Sequence, residues 1–376
     1  MSFLKTRHTL VAILCLPSPL FCAAQEPAVS NQVSYLSFEV PGALGTYPMS
    51  INASMAVTGY YYVSPTETRG FLRNQDGAIS LFGVPGALWV EPESINAGGD
   101  ITGFYELVSG VPQGFVRYAD GRMVLFDPPD AFQGPQSQPV GISDFDEIAG
   151  NYPYPLSVAD GFTRSRAGVF SYFGFGHGAI YPTVVTGLNA SGTVVGYFSV
   201  DGASVGFLHH PDGFRATFAV PDGPGYGPSF NFDTIAESVN ANGTIAGWYL
   251  NCMDFCTTTS TGGFVYSPPG VFTLFNPPGT LLTLPRPGFV NDGGSLLVPH
   301  RVSINQDGSI AGSYTDAEGA QHGFVRNPYG TITSFDPPRG NQTTVTSIND
   351  AGVTAGFYYY DWNSQIAQGF LRIPKL

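Results

Sequence analysis

The chain has 376 residues, a formal net charge of −13, 11% charged and 14% aromatic residues, 48 Gly and 31 Pro. So little charge with so many aromatics excludes a disordered chain, and an acidic balance with no basic cluster excludes nucleic acid and anionic membrane surfaces as partners. Abundant Gly and Pro between apolar runs predict many short strands joined by tight turns.

At the N-terminus Lys5, Arg7 and His8 precede the apolar stretch "TLVAILCLPSPLFC" and the small-residue run "CAAQ". This order predicts a secretory signal over residues 1–24 and a domain over 25–376 that works outside the cytoplasm, in the periplasm, at the cell surface or secreted. The stretch is too short and too broken by Pro to predict a membrane span. Phe21 stands where a lipoprotein would need a small residue before Cys22.

Downstream, one phrase recurs. "SVNANGTIAGWY", "SINQDGSIAGSY" and "SINDAGVTAGFY" are three of its copies, and the anchors are Asn52, Asn96, Ser143, Asn189, Asn240, Asn305 and Asn349. Seven residues after each anchor stands Gly, and two further on stands an aromatic, from Gly59 and Tyr61 to Gly356 and Tyr358. A Gly-Phe pair follows, from Gly70-Phe71 to Gly369-Phe370, and in six copies a later Phe, from Phe82 to Phe335. Spacing this regular marks a repeat architecture.

Within a copy, the β-branched run before the anchor predicts a strand, and the anchor with its following Gly predicts a tight turn. A strand with the recurrent Gly and aromatic, a "GFVR"-like strand and a strand ending in Phe follow. "DPPR", "NPPG" or "VPG" then ends the sheet, because Pro donates no ladder hydrogen bond. Four strands in about 45 residues is the blade length of a propeller. The seventh copy stops before its fourth strand, while "YLSFEVPGA" at residues 35 to 43 has the fourth-strand pattern. The reading is all-β: a seven-bladed β-propeller of four-stranded antiparallel blades, closed by residues 33 to 40 pairing with the strand around Phe370. The recurrent Gly residues are read as space for aromatic rings from an adjoining strand or blade, and the aromatic series as core.

The stretch "HGFVRNPYGTITSFDPPRGNQTTVTSINDAGVTAGFYY", residues 322 to 359, resembles the HAF-type extracellular repeats of secreted bacterial proteins, and the likeness runs from 35 to 376. The resemblance implies an exported, β-rich bacterial protein and supplies no catalytic residues. The His-Ala-Phe triplet behind the family's name has Gly for Ala throughout, and only His322 keeps the His.

Function should lie where the copies differ. Arg73, Arg117, Arg164, Arg326 and Arg372 follow the Gly-Phe pair, and His209 and Tyr266 replace Arg in the other two copies. Because they belong to the repeat, these Arg side chains are expected to lie over neighbouring aromatics or to pair with turn Asp residues, rather than to bind anions. The run before each anchor should be the innermost strand, and its variable residues Glu91, Glu93, Gln138, Glu237, His300 and Arg301 should line the channel. Glu91, Glu93, Glu237 and His300 are the candidate catalytic groups, set against a plainly solvated channel. Asp144, Asp146 and Glu147 share one turn and are the candidate calcium ligands, set against an acidic surface turn; no other cofactor is expected. The sequence shows no HExxH, G-x-S-x-G or phosphate-loop motif.

Cys252 and Cys256 remain after signal cleavage and are expected to form a local disulfide. The anchor spacing of 44, 47, 46, 51, 65 and 44 places insertions at residues 250 to 262 and 279 to 299. Loops on a rigid scaffold are where binding is placed, so Leu281, Leu282, Leu284 and Arg301 are the candidate ligand contacts, although this apolar loop could equally fold back on the ring. The expected protein is a secreted, monomeric, non-enzymatic binding or surface-interaction propeller for a glycan, a protein or a surface polymer. The rivals are a polysaccharide hydrolase or lyase with acids at the channel mouth, and a purely structural envelope repeat.

Overall fold

The computed structural model describes residues 33–129, 137–152, 161–175, 182–200, 203–221, 232–253, 258–268, 270–280, 283–285, 301–360 and 366–375. Seven antiparallel sheets stand in a ring as a seven-bladed propeller, with no helix among the described residues. In blade one the strands run outward from the centre as Thr46–Ile51, Val57–Ser64, Glu67–Arg73 and Ile79–Phe82. Blade seven holds Asn341–Ile348, Thr354–Tyr359 and Ala367–Pro374, and its outermost strand is Val33–Phe38 from the other end of the chain. The register pairs Val33 with Pro374 and Phe38 with Gly369, as the permuted fourth-strand pattern requires. The ring therefore closes with no exposed edge between its first and last blades.

The anchors hold neighbouring blades together at one end of the channel. Each anchor Asn uses its side-chain oxygen to close its own turn; Asn349 Oδ1 accepts from Ala351 N at 3.1 Å and from Val353 N at 3.0 Å. Its amide then donates to the next blade. Asn349 donates to Asn52 O, Asn52 to Asn96 O and Asn96 to Ser143 O, at 3.0, 3.0 and 3.1 Å. Asn189, Asn240 and Asn305 continue the chain from blade four to blade seven. The short Ser143 cannot make this reach, and a backbone contact from Asp144 N to Ala190 O, at 3.4 Å, stands in its place.

The innermost strands carry a bulge just before the anchor in six blades. Met49, Glu93, Val140, Thr186, Glu237 and Thr346 are the extra residues, and all of them line the channel. Pro48, Pro92 and Pro139 sit at three of these bulges, where the broken ladder tolerates a residue without an N–H. The bulge also corrects the reading of the second-strand Gly. A Cβ on Gly103 would collide first with the backbone at Glu91 and Pro92, so the close approach is to main chain more than to a ring. The Gly of each Gly-Phe pair does make room for a ring: a Cβ there would overlap Phe82 at Gly70 and Phe126 at Gly114.

The core lies between blades. Phe71, Phe115, Phe162, Phe207, Phe264, Phe324 and Phe370 are fully buried, one per blade. Each such ring contributes roughly 1.5–3 kcal/mol by leaving water. Outside this layer Arg73 lies over Phe38, Arg117 over Phe82, Arg164 over Phe126, Arg326 over Phe275 and Arg372 over Phe335, with the guanidinium 4.6–5.2 Å from the ring centre. In every pair the Phe belongs to the preceding blade's outermost strand. His209 takes the same place over Phe173, and Tyr266 stacks on Phe218 at 4.4 Å. One cation or ring thus lids the seam at each of the seven junctions, as the packing reading expected.

Candidate functional site at the channel mouth

Beside the anchor turns, the residues that precede them on the innermost strands enclose a cavity of about 540 Å³ in the channel. Glu91, Glu93, Gln138, Glu237 and Arg301 all line it, so five of the six innermost-strand candidates meet in one place. His300, the sixth, lies outside the described residues. Arg301 of blade six crosses the lumen to Glu93 of blade two, Nη1 to Oε2 at 3.0 Å. Glu93 is almost shielded, at 8% side-chain exposure, while more than half of the Arg301 side chain still meets channel water. Glu91 and Glu237 make no hydrogen bond among the described residues. Burial pushes the Glu237 carboxyl up to about 7 against the pull of Arg301. Burial, helped by the neighbouring charges of Glu93 and Glu106, does the same to Glu91.

Aromatic rings border these acids. Tyr47 stacks on Tyr60 at 5.0 Å and meets Phe357 of blade seven edge-on at 4.9 Å. Tyr62 touches Tyr60 and reaches Trp89 of blade two, and Phe357 touches Tyr359. The six rings form one continuous belt across blades seven, one and two. All are partly exposed, unlike the buried rings of the core. Burial raises the Tyr60 hydroxyl well above its usual range, and the charge of Glu91 adds to this, which places the belt against the acids.

The sequence reading missed this belt. It assigned aromatics of the second strand to the core, and that holds for Tyr105, Tyr314 and Tyr358. The residues on either side of them alternate to the other face of the strand. The available signal was departure from the repeat: only the first copy reads "GYYYV", and only it has Tyr five residues before its anchor.

The calcium reading is not supported, because the three acids of the third turn diverge. Asp144 Oδ1 accepts from Ala97 N at 2.9 Å. Asp146, with φ of 61°, accepts from Asn96 Nδ2 at 3.0 Å and pairs with Arg166. Glu147 turns toward Thr163 and Gly192. Their geometry serves the junction between blades two, three and four. No group of three His, Cys, Asp or Glu suited to a metal occurs among the described residues.

The insertion is partly placed. Thr283–Pro285 pairs with Thr258–Ser260 as a fifth strand of blade five, so this part folds back on the ring. Leu284 lies in that strand, whereas Leu281, Leu282 and residues 286–300 lie outside the described residues. Arg301, the remaining candidate ligand contact, stands in the lumen, where its place before the sixth anchor put it. Cys252 pairs with Thr259 in the ladder, and Cys256 lies outside the described residues.

No family model and no curated protein matches the sequence. Among solved structures, a puromycin hydrolase matches with a TM-score of 0.50 at 14% identity, over 86% of this chain and 52% of that one. An ancestral GH74 enzyme matches with a TM-score of 0.48 at 11% identity, over 90% of this chain and 49% of that one. The Aleuria aurantia lectin matches with a TM-score of 0.38 at 9% identity, over 77% of this chain and 95% of that one. This chain spans about half of the two enzymes it matches. At such identities the likeness is one of fold. No helix among the described residues is long and apolar enough to cross a membrane.

Proposed function

We propose that this chain is an exported binding propeller whose ligand, a glycan, seats at the channel mouth formed by blades seven, one and two. The aromatic belt carries the reading. Sugar rings offer C–H faces to aromatic rings, and half-buried Tyr and Trp supply that area at little cost in side-chain entropy. The polar lumen beside the belt offers carboxylates, Arg301, Gln138 and Ser hydroxyls to orient hydroxyl groups, within the usual size range of ligand cavities.

Export rests on the basic and apolar leader, and membership of the HAF-type repeat proteins rests on the recurrent phrase. The Cys252–Cys256 disulfide belongs to the same proposal. Intact-mass analysis after alkylation without reductant tests it, and two labelled thiols would count against an oxidising compartment.

A second reading, a secreted hydrolase or lyase, is favoured by one observation. Glu91 and Glu237 share the cavity, and each is held up to about 7, where a general acid works at neutral pH. A glycan array probed with the wild-type chain, Tyr62→Ala and Trp89→Ala tests the first reading. Wild-type hits that both variants lose without a change in melting temperature are expected. An array with no hits, or equal binding by the variants, would refute it. Chromatography of bound glycans after incubation separates binding from turnover.

A further inference from the structure

Resting on the binding site just proposed, we infer that the lumen receives a cationic group, so that the ligand is an amine-bearing glycan whose primary ammonium lodges beside Glu237 and Glu91. Three carboxylates and one guanidinium line the cavity among the described residues. Arg301 is committed across the channel to Glu93 at 3.0 Å. That pairing leaves Glu237 and Glu91 without a bonded partner. Glu237 is partly buried in the wall of the cavity, and no N–H or O–H donor among the described residues bonds to its carboxylate. A desolvated carboxylate in this position is unfavourable until a cation or a proton joins it.

The surroundings discriminate between possible cations. A divalent metal needs several convergent oxygen ligands, and the described residues hold no such group. An ammonium needs only a few acceptors and carries three donors. Glu237, Glu91 and a lining Ser hydroxyl such as Ser238 or Ser94 match that demand. The belt adds a second, independent fit. The charges of Glu91 and Glu93 both bear on the Tyr60 hydroxyl, so a cation beside Glu91 also comes near the aromatic belt. An anionic ligand would enter a lumen already rich in carboxylates. A neutral sugar would use the belt but leave the lumen charge unbalanced.

The test is calorimetric titration of the whole chain with a glucosamine oligomer, its fully N-acetylated form and a glucose oligomer of equal length. The amine form should bind about tenfold tighter than the other two, equivalent to ~1.4 kcal/mol. Glu237→Gln and Glu91→Gln should each abolish that margin, so that the amine and acetylated oligomers bind each variant alike. Thermal melting of both variants verifies that they fold. Equal affinity for all three oligomers, or an unchanged margin in both variants, overturns the inference and leaves glycan binding intact. Failure of every oligomer, together with an empty glycan array, overturns the binding reading itself. Spermidine is the separating probe for the source of the ammonium. If it binds as tightly as the glucosamine oligomer and loses that affinity in Glu237→Gln, the cation site stands and its glycan context is refuted.

Discussion

Phe38, at the end of the outermost strand of blade seven, faces Gly369 across the ladder, and its ring lies 2.8 Å from where a Cβ at Gly369 would stand. The two residues come from opposite ends of the described chain, so their contact is the ring's closure. Pro48 of blade one sits 2.9 Å from the same point.

Gly369→Val should therefore push on both Phe38 and Pro48. Overpacking of this kind costs about 2–3 kcal/mol. Deleting residues 33 to 43 should cost more, because it also uncovers one edge of blade seven. Circular-dichroism melting checks both; a midpoint unchanged by the deletion would remove the closure argument.

The relay of anchor side chains has one gap, at Ser143. Asn349→Ala removes one bond between blades and two bonds within its turn, and should cost about 2–3 kcal/mol because buried partners are left unsatisfied. Ser143→Asn should act in the opposite sense. Its amide can reach Asn189 O as the other anchors reach theirs, for a gain of roughly 1 kcal/mol. Urea denaturation of the two variants reads both signs.

Arg326 lids Phe275 between blades five and six, and burial alone lowers the pKa of its guanidinium. Arg326→Ala should destabilise by about 1–2 kcal/mol, through lost packing and the cation–ring contact. Because this is not an ion pair with a carboxylate, the loss should be nearly independent of salt between low and high ionic strength. A loss that vanishes in high salt would contradict the assignment.

Glu237 gives the stability a definite pH dependence. Its folded value of about 7 lies above the ordinary carboxylate value, so the folded state holds a proton that the unfolded state has released. Stability must then fall as pH rises from ordinary carboxylate values to about 7, and level off above that. Glu237→Gln should abolish this component: little change in stability at acid pH, and a gain of about 2 kcal/mol at pH 8, reduced by the lost attraction to Arg301. Denaturation at the two pH values decides it; a variant less stable than wild type at pH 8 would show that the charge is well solvated.

His322 adds a second slope of the same sign. Burial alone would lower it, but Asp336 at 2.7 Å and Asp316 at 3.0 Å outweigh this and hold it above its usual value. Its contribution is complete below the ordinary His value and is lost as pH rises through the folded value. His322→Gln should flatten the stability profile above pH 6, measured by the same denaturation series.

Repetition made the ring legible in the sequence. A spacing that recurs in every copy, from Asn52 to Asn349, can arise only from one supersecondary unit used again and again, and the misplaced fourth strand around Phe38 shows how the units close. The core Phe series and the Arg lids were readable for the same reason, since each is selected once per blade by the same neighbours. The site was not readable in this way. The sequence determined that Glu91, Glu93 and Glu237 lie on innermost strands and that Arg301 leads into another; it could not say that Arg301 spends its charge on Glu93 across the lumen and leaves Glu237 without a hydrogen-bonded partner. It also did not mark Tyr47, Tyr60, Tyr62 and Trp89 as one surface, or show that the acids of the third turn part company. Those facts depend on which blades face one another across a closed channel and on bulges that bring one extra residue into it. Local hydrogen bonding sets the blade, whereas distances between residues dozens to hundreds of positions apart are set only when the ring closes.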